Sequence, residues 1–269
     1  TGGAGFIGSH LVEALTLEGY PVRVFDNFDT GLQDNLSHLD PVPEIVEGDL
    51  TDAKAVDEAT RDAKLVFHLG AIASVQKGIE SPDEMHAVCA TGTVHVLDAA
   101  RRLGVRRVLY AASASAYGIP VSDVQSEDDA VCPLSAYAAA KLAGEMYCQS
   151  FAETYDLETV RLRFFNIFGP RQRADSPYSG VIAIFNRLMS EGRQPTVHGD
   201  GLQSRDFTSV RDVCQALILA SQAPGISGNV YNVGTGKSVN LLELIAALNA
   251  IYETNLEPIH GEPRIGDVK

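Results

Sequence analysis

The chain has 269 residues, of which 45% are hydrophobic and 21% charged, and its formal net charge is −14. This composition is typical of a globular protein with one large domain or one and a half, and so acidic a chain repels phosphate, which argues against nucleic acids and anionic membranes as partners. No apolar run approaches the roughly 20 residues that span a bilayer.

Short runs of β-branched and apolar residues alternate with longer helical patterns. The predicted strands lie at 22–25, 44–47, 65–69, 108–112, 160–165 and 230–233. The predicted helices lie near 6–18, 51–60, 91–103, 136–155, 210–222 and 240–252. Such alternation predicts βαβ units with right-handed crossovers, and therefore an α/β fold on a parallel sheet.

The alternation of strands and helices stops over 170–209, a stretch rich in Pro, Gly, Ser and Arg with one helical pattern near 180–191. We therefore expect one domain over 1–168 and a smaller lobe mainly over 169–269. Within that lobe, residues 207–236 are expected to return to the first sheet.

Gly2, Gly5 and Gly8 open the chain with the spacing GxxGxxG. The first glycine permits a tight turn, the second lets the backbone approach a pyrophosphate, and the third lets a helix pack close to the sheet. The helix N-terminus then offers free N–H groups to phosphate. Asp26 ends the next predicted strand, where a carboxylate accepts ribose hydroxyls and repels a 2′-phosphate. The sequence therefore predicts a dinucleotide site that prefers NAD to NADP.

A glycine-rich loop of this type follows a strand, yet here it begins at Thr1. We therefore expect a first strand before Thr1, and the abrupt end at Lys269 indicates that sequence follows there too. Two further strand ends point to the same crevice, because ligands of open α/β sheets bind at the carboxyl ends of strands. Asp49 follows one strand, and the small residues Gly70 and Ala71 follow the next.

Tyr137 and Lys141 lie four residues apart near the start of a predicted helix, which places a phenol and an ammonium on one face. Tyrosine ordinarily has a pKa of about 10, so the ammonium and a positive nicotinamide must lower that pKa by ~3 units, or about 4 kcal/mol, to make it a base. Ser113 follows a predicted strand, where its hydroxyl can hold a substrate oxygen and shuttle a proton. Ser115 is the neighbouring candidate and Ser135 a weaker one.

These segments resemble the extended short-chain dehydrogenase/reductase family over essentially the whole chain, and most closely its nucleotide-sugar epimerases. The resemblance rests on TGGAGFIG at 1–8, DN at 26–27, GDL at 48–50, HLGA at 68–71, ASV at 73–75, SASAYG at 113–118, YAAAK at 137–141, RFFN at 163–166, GP at 169–170, SPYSGV at 176–181 and GDGLQSRD at 199–206. It implies a Rossmann-type doubly wound sheet with a smaller C-terminal substrate-binding lobe. The implied activity is NAD-dependent 4-epimerisation of UDP-glucose and UDP-galactose or of their N-acetyl forms.

The same resemblance assigns roles to individual residues. The implied catalytic residues are Ser113, Tyr137 and Lys141. The implied cofactor-binding residues are Gly2, Gly5, Phe6, Ile7, Gly8, Asp26, Asn27, Asp49, Leu50, Leu69, Gly70, Ala71, Thr91, Tyr137, Lys141 and Phe164. The implied substrate-binding residues are Ser74, Val75, Ser113, Ser115, Asn166, Val181, Arg205 and Arg264. Among these, Asn166, Arg205 and Arg264 are expected at the diphosphate, which suits a guanidinium fork, and Val181 near the uracil.

Three positions depart from the family pattern. Cys89 replaces an asparagine that braces the backbone, Phe164 stands where tyrosine is common, and Gly70 replaces a usual alanine. None belongs to the catalytic trio, so we expect activity to be retained.

The residues after Ser113 distinguish the reactions of this family. The 4,6-dehydratases carry an Asp-Glu pair and UDP-glucuronate decarboxylases a Glu where this chain has Ala114 and Ser115. Without a carboxylate there, elimination lacks its second acid–base pair, which favours epimerisation through a 4-keto sugar that turns its other face to the returning hydride. The alternatives are another NAD(P)-dependent nucleotide-sugar enzyme (a dehydratase, decarboxylase or reductase) and a non-enzymatic NAD-binding regulator. The retained Tyr137 and Lys141 disfavour the regulator.

Four scattered cysteines form no CxxC pair, which predicts free thiols rather than a metal site or disulfides and favours a reducing, cytoplasmic location. Family members commonly dimerise through two helices, so the resemblance implies a homodimer with the helices near 91–103 and 136–155 as candidates. The expected small-molecule partner is a UDP-sugar.

Overall fold

The computed structural model describes residues 1–119, 122, 124–174 and 180–262. The chain divides into two compact units. The first comprises Thr1–Phe164 and Val210–Val233, and the second Phe165–Ser209 and Gly234–Lys269.

Parallel strands and flanking helices make up the first unit. Its strands, numbered in chain order, are β1 (Arg23–Asp26), β2 (Glu44–Glu47), β3 (Leu65–His68), β4 (Arg107–Ser113), β5 (Glu158–Phe164) and β9 (Val230–Val233). Its α-helices are α1 (Phe6–Leu17), α2 (Ala53–Thr60), α3 (Val75–Glu80), α4 (Pro82–His86), α5 (Gly92–Leu103), α6 (Ala136–Tyr155) and α8 (Val210–Gln222). Two 3₁₀ turns span Gln33–Asn35 and Ala114–Tyr117, and a π-helix spans Ala87–Thr91.

The described strand pairs of this unit are all parallel. β1 pairs with β2, and β3, β4, β5 and β9 follow one another in a second sheet. Thr1 and Gly2 connect the two sheets through the backbone. The Gly2 N–H donates to the Phe25 carbonyl at 2.9 Å, and the Thr1 carbonyl accepts from the Leu69 N–H at 3.3 Å.

Helices cover both faces of the larger sheet. α2, α5 and α6 pack together in one layer and α1 and α8 in another, and β4 contacts both α6 and α8. β4 is accordingly buried along almost its whole length, as expected for a parallel strand covered on both sides. The predicted α/β fold with a doubly wound parallel sheet is confirmed.

Local signals fix the ends of the two longest helices of this layer. α5 ends at Gly104, which has the left-handed conformation that glycine adopts without steric cost (φ 72°). α6 begins after Ser135, whose hydroxyl accepts from the Ala138 N–H at 3.1 Å. Ser135, the weakest of the predicted proton-relay serines, is therefore a helix cap.

The second unit is built from short strands and two helices. Its strands are β6 (Asn166–Phe168), β7 (Thr196–His198), β8 (Ser204–Ser209), β10 (Ser238–Asn240) and β11 (Ile259–Gly261), and its helices are α7 (Val181–Ser190) and α9 (Leu241–Tyr252). β8 pairs with β6 in parallel and with β10 in antiparallel fashion, and β11 pairs with β7 in parallel. α7 and α9 pack on each other around Phe185, Met189 and Leu244. Among the described residues of both units, no helix has the length and apolar character needed to cross a membrane.

Candidate active site

The glycine-rich loop lies at the carboxyl ends of β1 and β3. Gly2 has a left-handed backbone (φ 67°), and a Cβ there would come within 2.6 Å of the Gly70 nitrogen. A Cβ at Gly8 would collide with the Gly2 carbonyl. Gly5 caps α1 without a side-chain hydrogen bond, so the N–H groups of the first turn, which starts with Phe6 and Ile7, remain available to an anion.

Asp26 ends β1 and braces this loop. Its two carboxylate oxygens accept from the Ala4 and Phe28 N–H groups, each at 2.9 Å, and the residue is only 8% exposed. These two hydrogen bonds fix the orientation of the carboxylate against the loop. The structure therefore places the residue predicted to select NAD directly beside the glycine loop.

Asn27 and Asp49 meet at the ends of β1 and β2. The Asn27 amide donates to Asp49 Oδ2 at 2.8 Å, while the Thr51 N–H and hydroxyl donate to Asp49 Oδ1 at 2.8 and 2.6 Å. Partial burial raises the pKa of Asp49, but the hydrogen bonds from Thr51 and Asn27 outweigh it and leave this pKa below its ordinary value. The two predicted cofactor-binding residues Asn27 and Asp49 are thus hydrogen-bonded to each other.

The other predicted cofactor residues of the early strands are partly structural. Leu50 is 8% exposed and packs so closely on Gly92 that a Cβ there would lie 2.8 Å from Leu50 Cβ. Leu69 bonds to the Thr1 backbone. At Gly70, where alanine is usual, a Cβ would lie only 3.0 Å from Thr1 Oγ1.

Two further predicted cofactor residues sit away from that loop in the sequence. Thr91 ends the π-helix and lines a cavity of about 210 Å³ with Val94 and Tyr147, and no other predicted cofactor residue belongs to that cavity's described lining. Phe164 ends β5, is 8% exposed and lies in register with Ser113.

Ser113 and Tyr137 meet at the carboxyl end of β4, and Lys141 follows Tyr137 by one turn of α6. Ser113 ends that strand, accepts from the Ser115 hydroxyl at 2.8 Å and forms a hydrogen bond with Tyr137. Because Ser115 donates to Ser113, the Ser113 proton is left for the Tyr137 oxygen, so three hydroxyls form a directed relay.

Burial raises the pKa of Tyr137 to about 12, against which the Ser113 hydrogen bond acts. The protein's own groups thus shift this pKa in the direction opposite to the lowering predicted for a Tyr–Lys pair beside a nicotinamide, since loss of water around the phenol outweighs the hydrogen bond. Lys141 is 4% exposed, with its Nζ 4.4 Å from the centre of the Tyr110 ring, and burial lowers its pKa.

A buried chain of hydrogen bonds, which sequence reasoning missed, runs through His68. The Gly70 N–H donates to Thr1 Oγ1 at 3.1 Å, and this oxygen lies 2.7 Å from His68 Nδ1. His68 Nε2 lies 3.0 Å from Thr93 Oγ1, which donates to the Cys89 carbonyl at 2.6 Å. The chain therefore connects the cofactor loop to the π-helix.

The direction of each bond fixes the protonation of His68. The Thr93 hydroxyl uses its one proton elsewhere, so His68 Nε2 must donate to it, and Nδ1 accepts from Thr1. Burial lowers the pKa of His68 well below its ordinary value of 6.5, and the charge of Lys141 lowers it further. His68 is therefore a neutral residue that links Thr1 to Thr93. In the sequence, only its position in the HLGA segment pointed to a role for it.

Cys89 keeps the bracing role of the asparagine that it replaces. Its sulfur accepts from the Ile72 N–H at 3.4 Å, and the side chain is 1% exposed beside Met85. Burial raises the pKa of this thiol. All four cysteines of the chain are free.

The predicted substrate residues divide between the units. In the first unit, Ser74 caps α3 by accepting from the Lys77 N–H at 3.1 Å, and Val75, the first residue of α3, is 48% exposed. In the second unit, Asn166 and Arg205 lie on the neighbouring strands β6 and β8, and Val181 begins α7.

Hydrogen bonds within the second unit engage both Asn166 and Arg205. The Asn166 amide donates to the Asp206 carbonyl at 3.4 Å, and Arg205 donates to the Ser204 carbonyl at 2.8 Å. Asp206 itself holds the next loop, because its carboxylate accepts from the N–H groups of Thr235 and Gly236, each at 2.8 Å. Arg264 lies outside the described residues.

The fold and the glycine loop define the class, an α/β enzyme with a dinucleotide-binding site. The family model described as "NAD dependent epimerase/dehydratase family" matches residues 1–234, and the chain belongs to this family.

The relatives span the whole chain. The UDP-glucose 4-epimerase of Mycolicibacterium smegmatis is 37% identical over 100% of this chain and 87% of its own length. The structure of a UDP-N-acetylglucosamine 4-epimerase from Methanobrevibacter ruminantium, in complex with UDP-N-acetylmuramic acid, matches with a TM-score of 0.95 and 34% identity, covering 100% of this chain and 86% of that one. The UDP-glucose 4-epimerase of Thermus thermophilus, in complex with NAD, matches with a TM-score of 0.89 and 34% identity over 99% and 86%.

Other relatives carry other activities. A UDP-N-acetyl-α-D-glucosaminuronate decarboxylase of Bacillus cytotoxicus is 32% identical over 97% of this chain and 81% of its own length. A mouse dTDP-D-glucose 4,6-dehydratase is 32% identical over 96% and 73%. The family alone therefore leaves the reaction to be decided by residues of the site.

NAD is the cofactor of this family, and the loop fits it. Gly2 and Gly8 let the loop pack against Gly70 and on itself, where a Cβ would collide with backbone, and α1 begins without a side-chain cap, so its first N–H groups can meet a phosphate. Asp26 lies at the end of the neighbouring strand, β1, where its carboxylate accepts a hydrogen bond from the Ala4 N–H. A 2′-phosphate in that place would call for a positively charged side chain instead.

Proposed function

We propose that this enzyme interconverts UDP-hexoses at C4, acting on UDP-glucose and UDP-galactose or on their N-acetyl forms. The observation that carries this choice is the turn after Ser113. It holds Ala114 and Ser115 where related dehydratases and decarboxylases are expected to carry carboxylates, and the Ser115 hydroxyl is engaged with Ser113. Elimination of water needs a second acid–base pair that this turn does not contain, whereas epimerisation needs one tyrosine.

The proton chemistry follows from the relay. Tyr137 takes the proton of the sugar 4-hydroxyl, and Ser113 assists by donating its own proton in a hydrogen bond to the Tyr137 oxygen. When bound, NAD would supply the hydride acceptor and donor for C4, and the positive charge of its oxidised ring would add to that of Lys141 in favouring the phenolate. The 4-keto sugar then presents its other face, and Tyr137 returns the proton, so the cycle consumes nothing.

We assign the dinucleotide to the domain predicted over 1–168, together with the returning segment 207–236. The diphosphate and uracil of the substrate are assigned to Asn166, Val181 and Arg205 of the smaller lobe, with Arg264 as a further diphosphate ligand. A guanidinium suits a diphosphate because its planar fork donates two parallel hydrogen bonds.

We also propose a homodimer built on α5 and α6 and a cytoplasmic location. The exposed apolar side chains of Leu103 on α5 and of Met146 and Tyr147 on α6 support the first. Free thiols at all four cysteines support the second. Sedimentation analysis of the wild type and of a Met146→Glu variant tests the dimer, since the charge is expected to dissociate it.

Product analysis with UDP-glucose, UDP-galactose and their N-acetylated counterparts tests the reaction. We expect reversible conversion at C4 without net NADH, and we expect Tyr137→Phe to lose at least ~100-fold in kcat, since general acid–base groups contribute about that much. A 4-keto-6-deoxy product, loss of CO2 from a uronate, or stoichiometric NADH would instead assign the chain to its dehydratase, decarboxylase or reductase relatives.

A further inference from the structure

Glu145 follows Tyr137 and Lys141 at a spacing of four residues along α6, so all three side chains share one face of the helix. Glu145 is 1% exposed. A carboxylate taken out of water is costly unless it is paired and hydrogen-bonded. The packing of α6, which carries the predicted catalytic groups, therefore depends on the residue that pairs with Glu145.

That partner is Arg163, near the end of β5. Its Nη2 lies 2.6 Å from Glu145 Oε1, and its Nε lies 3.0 Å from Oε2. A two-point fork of this kind fixes the direction as well as the distance between two groups. Arg161 adds a third, longer contact of 3.8 Å between its Nη1 and Glu145 Oε1.

The same guanidinium also reaches the turn that carries Ser113. The Arg163 Cζ lies 4.6 Å from the centre of the Tyr117 ring, and Tyr117 is 4% exposed. The Tyr117 hydroxyl donates to Asn232 Oδ1 on β9 at 2.7 Å. Tyr117 ends the 3₁₀ turn that Ser113 caps, so Arg163 contacts both segments that carry the catalytic trio.

We propose that Glu145 and Arg163 are positioning residues that hold the Ser113 turn in register with Tyr137. Their role rests on the proposed function, in which Ser113 and Tyr137 share the proton of the reaction. A displacement of about 1 Å in such a group costs on the order of 100-fold in rate. Loosening the pair therefore lowers kcat far more than it weakens substrate binding.

Arg163→Lys is the decisive variant, because lysine keeps the charge and loses the fork. We expect kcat to fall about 10- to 100-fold, with KM for the UDP-sugar changed less than about threefold. The kcat of Glu145→Gln should fall by a similar factor. The double variant should have a kcat no lower than that of either single variant, because each of these variants breaks the same pair.

Arg107→Lys is the matched control. Arg107 is equally buried, pairs with Glu158 at 2.9 Å and lies in the same sheet, but at the opposite end of β4 from Ser113. Its loss is expected to lower stability and to leave kcat unchanged. Equal losses of kcat in both lysine variants, or an unchanged kcat in Arg163→Lys, would overturn the proposal.

Hydrogen exchange gives a readout that does not depend on turnover. In Arg163→Lys, but not in Arg107→Lys, amides of 113–118 should exchange at least about tenfold faster, because the turn loses its tether. If the wild type converts none of the UDP-sugars, the proposed function fails, and the exchange rates alone then decide whether the pair holds the turn. Unchanged exchange in this segment would count against the positioning role even in an active enzyme.

Discussion

Acidification should destabilise this protein through one buried imidazole, that of His68. The side chain is 1% exposed, and both ring nitrogens are engaged, Nε2 as donor to Thr93 and Nδ1 as acceptor from Thr1. Protonation would place a second donor against the Thr1 hydroxyl, which already receives the Gly70 N–H. The folded state therefore resists a proton that the unfolded state accepts.

The sign and size follow from linkage. The pKa of His68 lies well below 6.5 in the folded state, so below pH 6.5 the unfolded chain binds one more proton and stability falls with falling pH. With an ordinary pKa of 6.5 in the unfolded chain, this group alone should remove about 1.3 kcal/mol of unfolding free energy between pH 7.0 and 5.5. The loss continues at ~1.4 kcal/mol per pH unit until the folded-state pKa is reached.

The assay is urea unfolding followed by circular dichroism at pH 7.0, 6.5, 6.0 and 5.5. His68→Gln removes the titrating ring, so its free energy of unfolding should be lower at pH 7.0 but fall less steeply with acid, by about 1.3 kcal/mol over this range. Thr93→Val is the matched control, because it breaks the same chain yet keeps the ring and should retain the wild-type slope. Parallel curves for wild type and His68→Gln would refute the reasoning.

Three further substitutions test the site. Gly8→Ala should expel NAD and destabilise the fold by about 1–3 kcal/mol, since its Cβ meets the Gly2 carbonyl; protein-bound NAD and thermal unfolding measure both. Gly144→Ala should cost a similar amount, because its Cβ meets the Tyr110 hydroxyl. It should also displace α6, the helix of the proposed base Tyr137, so that kcat falls with the melting temperature. Asp26→Asn should leave one of two backbone N–H groups unsatisfied, costing about 1–3 kcal/mol and weakening NAD binding in calorimetry; unchanged affinity would show that the carboxylate only braces the loop.

The alternation of patterns along the chain predicts the long helices and the central strands of the first unit well, because these elements are long enough to show their period. The structure has α6 at Ala136–Tyr155, where the sequence predicts a helix over 136–155, and β5 at Glu158–Phe164 against a prediction of 160–165. Strands of three residues, such as β6 and β7, contain too little alternation to be recognised. The same holds for α3 and α4, two helices of six and five residues.

The site shows a similar division. Spacing predicted that Tyr137 and Lys141 share a helix face, while the strand-end position of Ser113 and the family resemblance added the serine. The structure gives a hydrogen bond between the Tyr137 and Ser113 hydroxyls. Spacing could not predict the pKa of Tyr137, which depends on how much water the fold removes. Nor could it find the partner of Glu145, since Arg163 lies 18 residues further along the chain and meets it only in the folded protein.

Contacts on the buried face of α6 fix the position of the helix, and they explain how the desolvated Lys141 side chain is kept in place. Tyr110, which is fully buried, donates its hydroxyl to the Lys141 carbonyl at 3.0 Å while its ring lies under the Lys141 ammonium. The absence of a Cβ at Gly144 admits that hydroxyl. One turn beyond Lys141, Glu145 is fixed by its fork to Arg163. Because position is supplied by these contacts while burial raises the pKa of Tyr137, the protein contributes geometry, and we infer that the phenolate needs the additional positive charge of the cofactor.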